Sequence, residues 1–74
     1  MTLDDLGPNE SGIVQDVRGD GGRRRRRFLE MGVTPDTHVT VVRTAPAGDP
    51  IEIRLRGYAL AVRREDARRI AVRR

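Results

Sequence analysis

Between Ile51 and Arg56 apolar and charged residues alternate without a break, Ile51, Ile53 and Leu55 against Glu52, Arg54 and Arg56. A period of two is that of a strand with one face buried and the other in water. Gly57 then turns the chain, and Tyr58 to Arg63 reads as the returning strand, with Tyr58, Leu60 and Val62 inward and Ala59 and Ala61 outward. Upstream, Ser11 to Arg18 carries Ile13, Val14 and Val17. Strict alternation buries Ile13 and Val17 and exposes Val14, so either Val14 is half covered or the strand bulges. His38 to Thr44 puts Val39 and Val41 on one face, and Ile70 and Val72 predict a short closing strand after a helical turn over Glu65 to Arg69.

The period breaks once, from Asp20 to Pro35, and there the residues predict a helix over roughly residues 21 to 31. Asp20 is its expected cap, able to accept a hydrogen bond from first-turn N–H groups and to complement the positive end of the helix dipole. Gly32 is the expected left-handed stop, which sets Phe28 in the last turn against Val33, and Pro35 prevents continuation. Leu3 and Leu6 form a lead-in that packs on the domain before the turn Gly7-Pro8-Asn9, and Ala45 to Pro50 is a breaker segment. Five short strands and one helix, with a meander near the C-terminus, predict a mainly β fold, a small barrel or strongly curved sheet capped by the helix. No internal repeat or domain boundary is visible, so residues 1–74 read as a single domain.

A chain of 74 residues buries only about 60% of the surface its unfolded form exposes. Its core must come from Val, Ile, Leu and Met, because Trp is absent and Phe28 and Tyr58 are the only aromatics. The absence of Cys suits a reducing cytoplasm. No apolar run comes near the ~20 residues that span a bilayer, and no signal pattern opens the chain, so a soluble protein is expected. All fifteen basic residues are Arg, which fits a GC-rich genome better than a demand for bidentate recognition. With eleven acidic residues spread among them the formal charge is +4, a modest excess that names no partner.

Three stretches together resemble a known family: the helix end Arg27-Phe28-Leu29-Glu30-Met31-Gly32-Val33-Thr34-Pro35, the segment Ala45-Pro46-Ala47-Gly48-Asp49-Pro50-Ile51, and the tail from Arg56-Gly57-Tyr58 through Ala67 to Ile70-Ala71-Val72. They are similar to the FeoA family of small cytoplasmic proteins of bacterial ferrous-iron uptake. The resemblance implies an SH3-like barrel, no enzymatic activity, no cofactor, and action on FeoB, a membrane GTPase-transporter. The same fold closes iron-dependent repressors of the DtxR type behind DNA-binding and dimerisation domains. Nothing precedes it here, so the free-standing form is expected. Two positions depart from the family pattern: Asp36, where Gly is usual, and Ala47, where a larger apolar residue is. A turn needing positive φ at Asp36 would be strained, whereas a type I turn would not.

Candidate chemistry is sparse. His38 is the only imidazole, and with only Asp36 close by in sequence it makes a poor general base and a poor metal site, since Fe(II) and Zn(II) want several converging His, Cys or carboxylate ligands. No tightly bound metal is therefore expected, and any iron role is indirect. Gly19-Asp20-Gly21-Gly22 lacks the Gly-Lys-Ser/Thr ending of a phosphate loop and reads as a turn into the helix. Arg23 to Arg27 wrap a helix completely at 100° per residue, so at least one must lie against the barrel with its stem packed. The plain reading is a solvated helix start in an Arg-rich chain, and the functional one divides between docking on an acidic protein surface and contacting phosphates; cations on a first helical turn oppose the dipole, which is mildly suggestive of use. The expected docking residues are Arg24, Arg26 and Arg27, with Pro46 and Tyr58 as apolar anchors. Two other readings are a basic small barrel binding RNA or DNA, opposed by the shortage of aromatics for base stacking, and a stand-alone repressor-type metal-sensing domain, opposed by the missing ligands.

Overall fold

The most regular strand of the sequence lies second from one edge of a five-stranded antiparallel sheet. The computed structural model describes residues 1–19 and 22–74. A 3-10 turn over Leu3–Asp5 precedes β1 (Ser11–Val17), α1 (Arg23–Glu30), β2 (His38–Thr44), β3 (Ile51–Leu55), β4 (Tyr58–Val62), α2 (Arg64–Ala67) and β5 (Ile70–Arg73). The strand order is β4-β3-β2-β1-β5. Ile51, Ile53 and Leu55 are buried as their alternation requires, beside Val39, Val41, Val62, Ile70 and Val72, and Leu3 and Leu6 of the lead-in join the same core. That core is aliphatic apart from Phe28.

Helix α1 is described from Arg23, with Gly22 flanking it, and it ends at Glu30, one residue earlier than expected, with Met31 flanking its end. The expected cap at Asp20, the start at residue 21 and the turn Gly19 to Gly22 depend on positions 20 and 21, outside the described residues. The stop is as expected. Gly32 has φ +93°, its N–H donates to the Leu29 carbonyl, and the Val33 N–H donates to the Phe28 carbonyl at 2.9 Å. Those two bonds define a Schellman cap, and Phe28 and Val33 are both buried beneath it.

In β1 Val17 is buried as strict alternation requires, but Val14 is buried as well and Ile13 is only half-buried. The β1–β5 register shifts between Val14 and Asp16, so a bulge, not partial covering, resolves the conflict. A matching shift occurs in β2–β3 between Val41 and Arg43. The two ladders correspond throughout. Val14↔Val72, Asp16↔Ala71 and Val17↔Ile70 become Val41↔Ile53, Arg43↔Glu52 and Thr44↔Ile51 when 27 is added to the β1 numbers and 19 subtracted from the β5 numbers. The sheet thus carries a local two-fold relation about the β1–β2 pair. The two offsets have opposite sign, so no tandem repeat exists for sequence inspection to find.

The relation extends to the turns. Gly7 to Glu10 and Thr34 to Thr37 each close with a bond from the fourth residue's N–H to the first carbonyl, 3.0 and 3.1 Å. Each has Pro second and a positive-φ residue third, Asn9 at +68° and Asp36 at +72°, the signature of a type II turn. Asn9 donates to the Val41 carbonyl and Asp36 to the Val14 carbonyl, both at 2.7 Å, which extends the β1–β2 ladder at its two ends. The unstrained type I alternative for Asp36 is therefore not adopted.

Strand β4 ends at Val62, one residue early. Leu55 pairs with Tyr58, so Arg56 and Gly57 form a two-residue hairpin loop, and φ values of +47° and +84° make it a type I′ turn. Tyr58 keeps its inward register opposite buried Leu55 but is 40% exposed, because it sits where the sheet ends. Leu60 is half-buried, and only Val62 of the three is fully inside.

Candidate functional site

The arginine run is sorted by the helix on which it lies. Arg24 turns inward and donates from Nη1 to Asp66 Oδ1 of α2 at 3.1 Å. Arg25 stands 3.8 Å from Asp16 Oδ1 at the end of β1. Arg23, Arg26 and Arg27, spaced i, i+3 and i+4, share the opposite, exposed face. Among the described residues none of these three side chains has a hydrogen-bonding or ion-pair partner. Two arginines serve the fold, and three leave a positive stripe on it. Arg24 therefore differs in kind from Arg26 and Arg27. Its carboxylate partner has a side chain only 10% exposed, so losing the pair strands a nearly buried charge.

Pro46 lies in the loop between β2 and β3. The loop closes on itself through Ala45 N–H to the Pro50 carbonyl (3.0 Å) and Gly48 N–H to the Ala45 carbonyl (2.7 Å). It is then held to α2, because the Arg64 N–H donates to Asp49 Oδ1 and the Arg64 guanidinium to the Gly48 carbonyl at 2.9 Å. A groove of about 410 Å³ is lined by Ala45, Pro46 and Pro50 of this loop together with Arg43, Glu52 and Ala61 of the sheet. Within that lining Arg43 Nε donates to Glu52 Oε1 at 3.0 Å. Helix α2 thus ties the base of the arginine helix and the groove loop together.

Tyr58 does not join them. It lies at the opposite end of β4 from Ala61, about 10 Å along the strand. Its neighbourhood is a polar cluster that the sequence did not announce. Arg56 donates from Nε to the Gly32 carbonyl (3.1 Å) and from Nη2 to Thr34 Oγ1 and Thr37 Oγ1 (both 2.9 Å). The Thr37 hydroxyl, in a buried residue, also reaches the Gly32 carbonyl at 3.3 Å. This locks the β3–β4 hairpin to the end of α1. Pro46 and Tyr58, expected to anchor one partner together, belong to two separate surfaces.

His38 is exposed at the start of β2. Among the described residues no group of three or more His, Cys, Asp or Glu side chains is placed to hold a metal ion. No helix among them is long and apolar enough to cross a membrane.

Comparison with known proteins follows from this geometry. The family model for the FeoA domain matches residues 1–74. A fusion of Fe(2+) transport protein A with the Fe(2+) transporter FeoB from Porphyromonas gingivalis is 39% identical over 72 residues, 97% of this chain, and the chain spans 8% of that relative's length. The solution structure of the Chlorobium tepidum FeoA protein superposes with a TM-score of 0.90 at 34% identity, covering 99% of this chain and 69% of that one. The crystal structure of Stenotrophomonas maltophilia FeoA complexed with zinc, described as a prokaryotic SH3 domain protein, gives 0.85 at 28% identity over 97% of this chain and 88% of that one. The curved antiparallel sheet is an SH3-like barrel, and the chain belongs to the FeoA family.

Proposed function

We propose that the protein is a non-enzymatic accessory of bacterial ferrous-iron uptake, acting at the cytoplasmic side by protein–protein contact with a FeoB-type membrane GTPase-transporter. The observation that carries this reading is the P. gingivalis fusion, in which a domain similar along almost the whole of this chain shares one polypeptide with the transporter. A covalent join holds two modules at high effective concentration, an arrangement that favours modules which work on each other. The single imidazole supports the non-enzymatic part, since exposed His38 has no hydrogen-bonded side chain among the described residues to orient it as a base.

The arginine stripe fits a role in encounter. Exposed cations at a rim act mainly on association rate. Replacing Arg26 and Arg27 together with Ala is expected to slow association with the cytosolic portion of the transporter by about threefold to tenfold at low salt, with little change in dissociation. The protein's melting temperature should not move. Arg24→Ala should do the converse, lowering stability by about 1–2 kcal/mol through Asp66 while leaving association nearly unchanged. Stopped-flow association and thermal melts of both variants give the answer, and equal association rates for wild type and the double variant would contradict the proposed role of the stripe.

A further inference from the structure

The two edges of the sheet are treated differently. The outer edge of β5 is covered by the chain's own beginning, with Thr2 bridging Ala71 and the Val72 N–H donating to the Met1 carbonyl at 2.9 Å. Among the described residues the outer edge of β4 has no such cover. In a two-residue hairpin the closing pair is hydrogen-bonded, here Leu55 with Tyr58, and bonded and non-bonded pairs then alternate along the ladder. Leu60 and Val62 therefore bond to β3, while the N–H and C=O groups of Ala59 and Ala61 point away from it. Both alanines are exposed, and among the described residues neither takes part in any backbone bond beyond the ladder. Strand edges are usually blunted by a charge, a proline or a bulge. Tyr58–Val62 contains none of these.

We infer that the β4 edge is a strand-addition site for an extended peptide segment of alternating apolar and acidic character. Ala59 and Ala61 would supply the main-chain donors and acceptors. The side chains beside them set the chemistry. Ala59 faces Arg54 across the sheet, and Arg54 is exposed with no ion-pair partner among the described residues, so a carboxylate on the incoming strand can reach its guanidinium over the small methyl group. Arg63, also exposed and unpaired among them, stands just past the other end of β4. Half-buried Leu60, on the other face, suits the apolar side chains that alternate with the acidic ones. The inference stands whether or not the transporter supplies the segment.

The test uses the full-length protein, isotopically labelled, titrated with an acetylated and amidated hexapeptide alternating valine and glutamate. In the free protein the Ala59 and Ala61 amides should exchange with solvent far faster than those of Leu60 and Val62. On saturation they should shift and gain about tenfold or more in protection, as edge amides do when they acquire a partner. Arg54→Glu should weaken binding at least about fivefold, and a lysine–valine peptide should not bind. Ala61→Pro removes one outward N–H without taking a bond from β3, so it should keep the wild-type melt yet abolish binding. Shifts confined to α1, protection of Ala59 and Ala61 without peptide, or self-association through β4 would each overturn the inference.

Discussion

Asp36 holds a backbone conformation that glycine adopts freely and an L-residue only at a cost, φ +72° in the third position of a type II turn. It is tolerated because its N–H completes the ladder to the Val14 carbonyl, and because short polar side chains enter this region more easily than others. Asp36→Gly should therefore stabilise the protein by about 0.5 kcal/mol, the relief of strain being partly offset by the greater freedom of glycine in the unfolded chain. An increase of about 2–4 °C in melting temperature is the expected reading. Gly32 is the opposite case. A Cβ there would lie 3.1 Å from Arg56 Cδ at a φ of +93°, so Gly32→Val both strains the cap and dislodges the guanidinium that holds Thr34 and Thr37. A loss of about 2–3 kcal/mol is expected, and an unchanged melt would mean that the Schellman cap and the Arg56 cluster do not contribute as described.

Among the elements, those whose stability comes from local pattern were legible in the sequence and those that depend on distant partners were not. The alternation at Ile51 to Leu55 and the Gly32 stop needed only neighbouring residues to be read. The bulge in β1 left a visible conflict between Ile13 and Val14, but its resolution depended on the pairing with β5, more than fifty positions away. Arg56 looked like one more solvated charge on the outer face of β3. Only the folded hairpin brings it to the end of α1. The site was half legible for the same reason: composition and helical period mark the Arg23 to Arg27 run, whereas the division between Arg24 and the exposed pair Arg26 and Arg27 is made by Asp66 on α2. Tyr58 and Pro46 are companions in the sequence only as candidate apolar anchors, and the fold separates them by placing Pro46 in the β2–β3 loop and Tyr58 at the far end of β4.

The Gly7 to Glu10 turn gives an element its own pH dependence. The Gly7 N–H donates to Glu10 Oε1 at 2.6 Å and the Arg74 guanidinium to Oε2 at 2.9 Å, and these hold the Glu10 carboxyl below its ordinary value of 4.5, the backbone bond contributing most. A carboxyl whose folded pKa is depressed adds stability that is fully present above its ordinary value and is lost as pH falls through the folded one. The destabilisation caused by Glu10→Gln should accordingly be full near neutrality and shrink progressively below about pH 4. Paired melts across that range check it, and a difference that stays constant down to the lowest pH would show that the carboxylate is not what holds the turn.

At the scale of the whole molecule, acidic residues pair with some of the cations and leave others without a partner among the described residues. Asp4 takes Arg64 and Arg68, Asp66 takes Arg24, and Glu10 takes Arg74, whereas the stripe on α1 has no acidic partner among the described residues. Glu30, i+3 from Arg27 and i+4 from Arg26, lies on the same exposed face, so three arginines there stand against one carboxylate and the face stays positive. Such a face would attract nucleic acid as well as an acidic protein, and both attractions weaken with salt. Competition separates them. The most direct test of the account is capture of the purified cytosolic portion of a FeoB-type transporter by the immobilised protein at moderate salt, with and without a large excess of non-specific RNA. The transporter portion should be retained, and RNA should not displace it. Failure to retain it even at low salt, together with a gel shift of short RNA at sub-micromolar protein, would contradict the transporter reading and leave a nucleic-acid-binding barrel in its place.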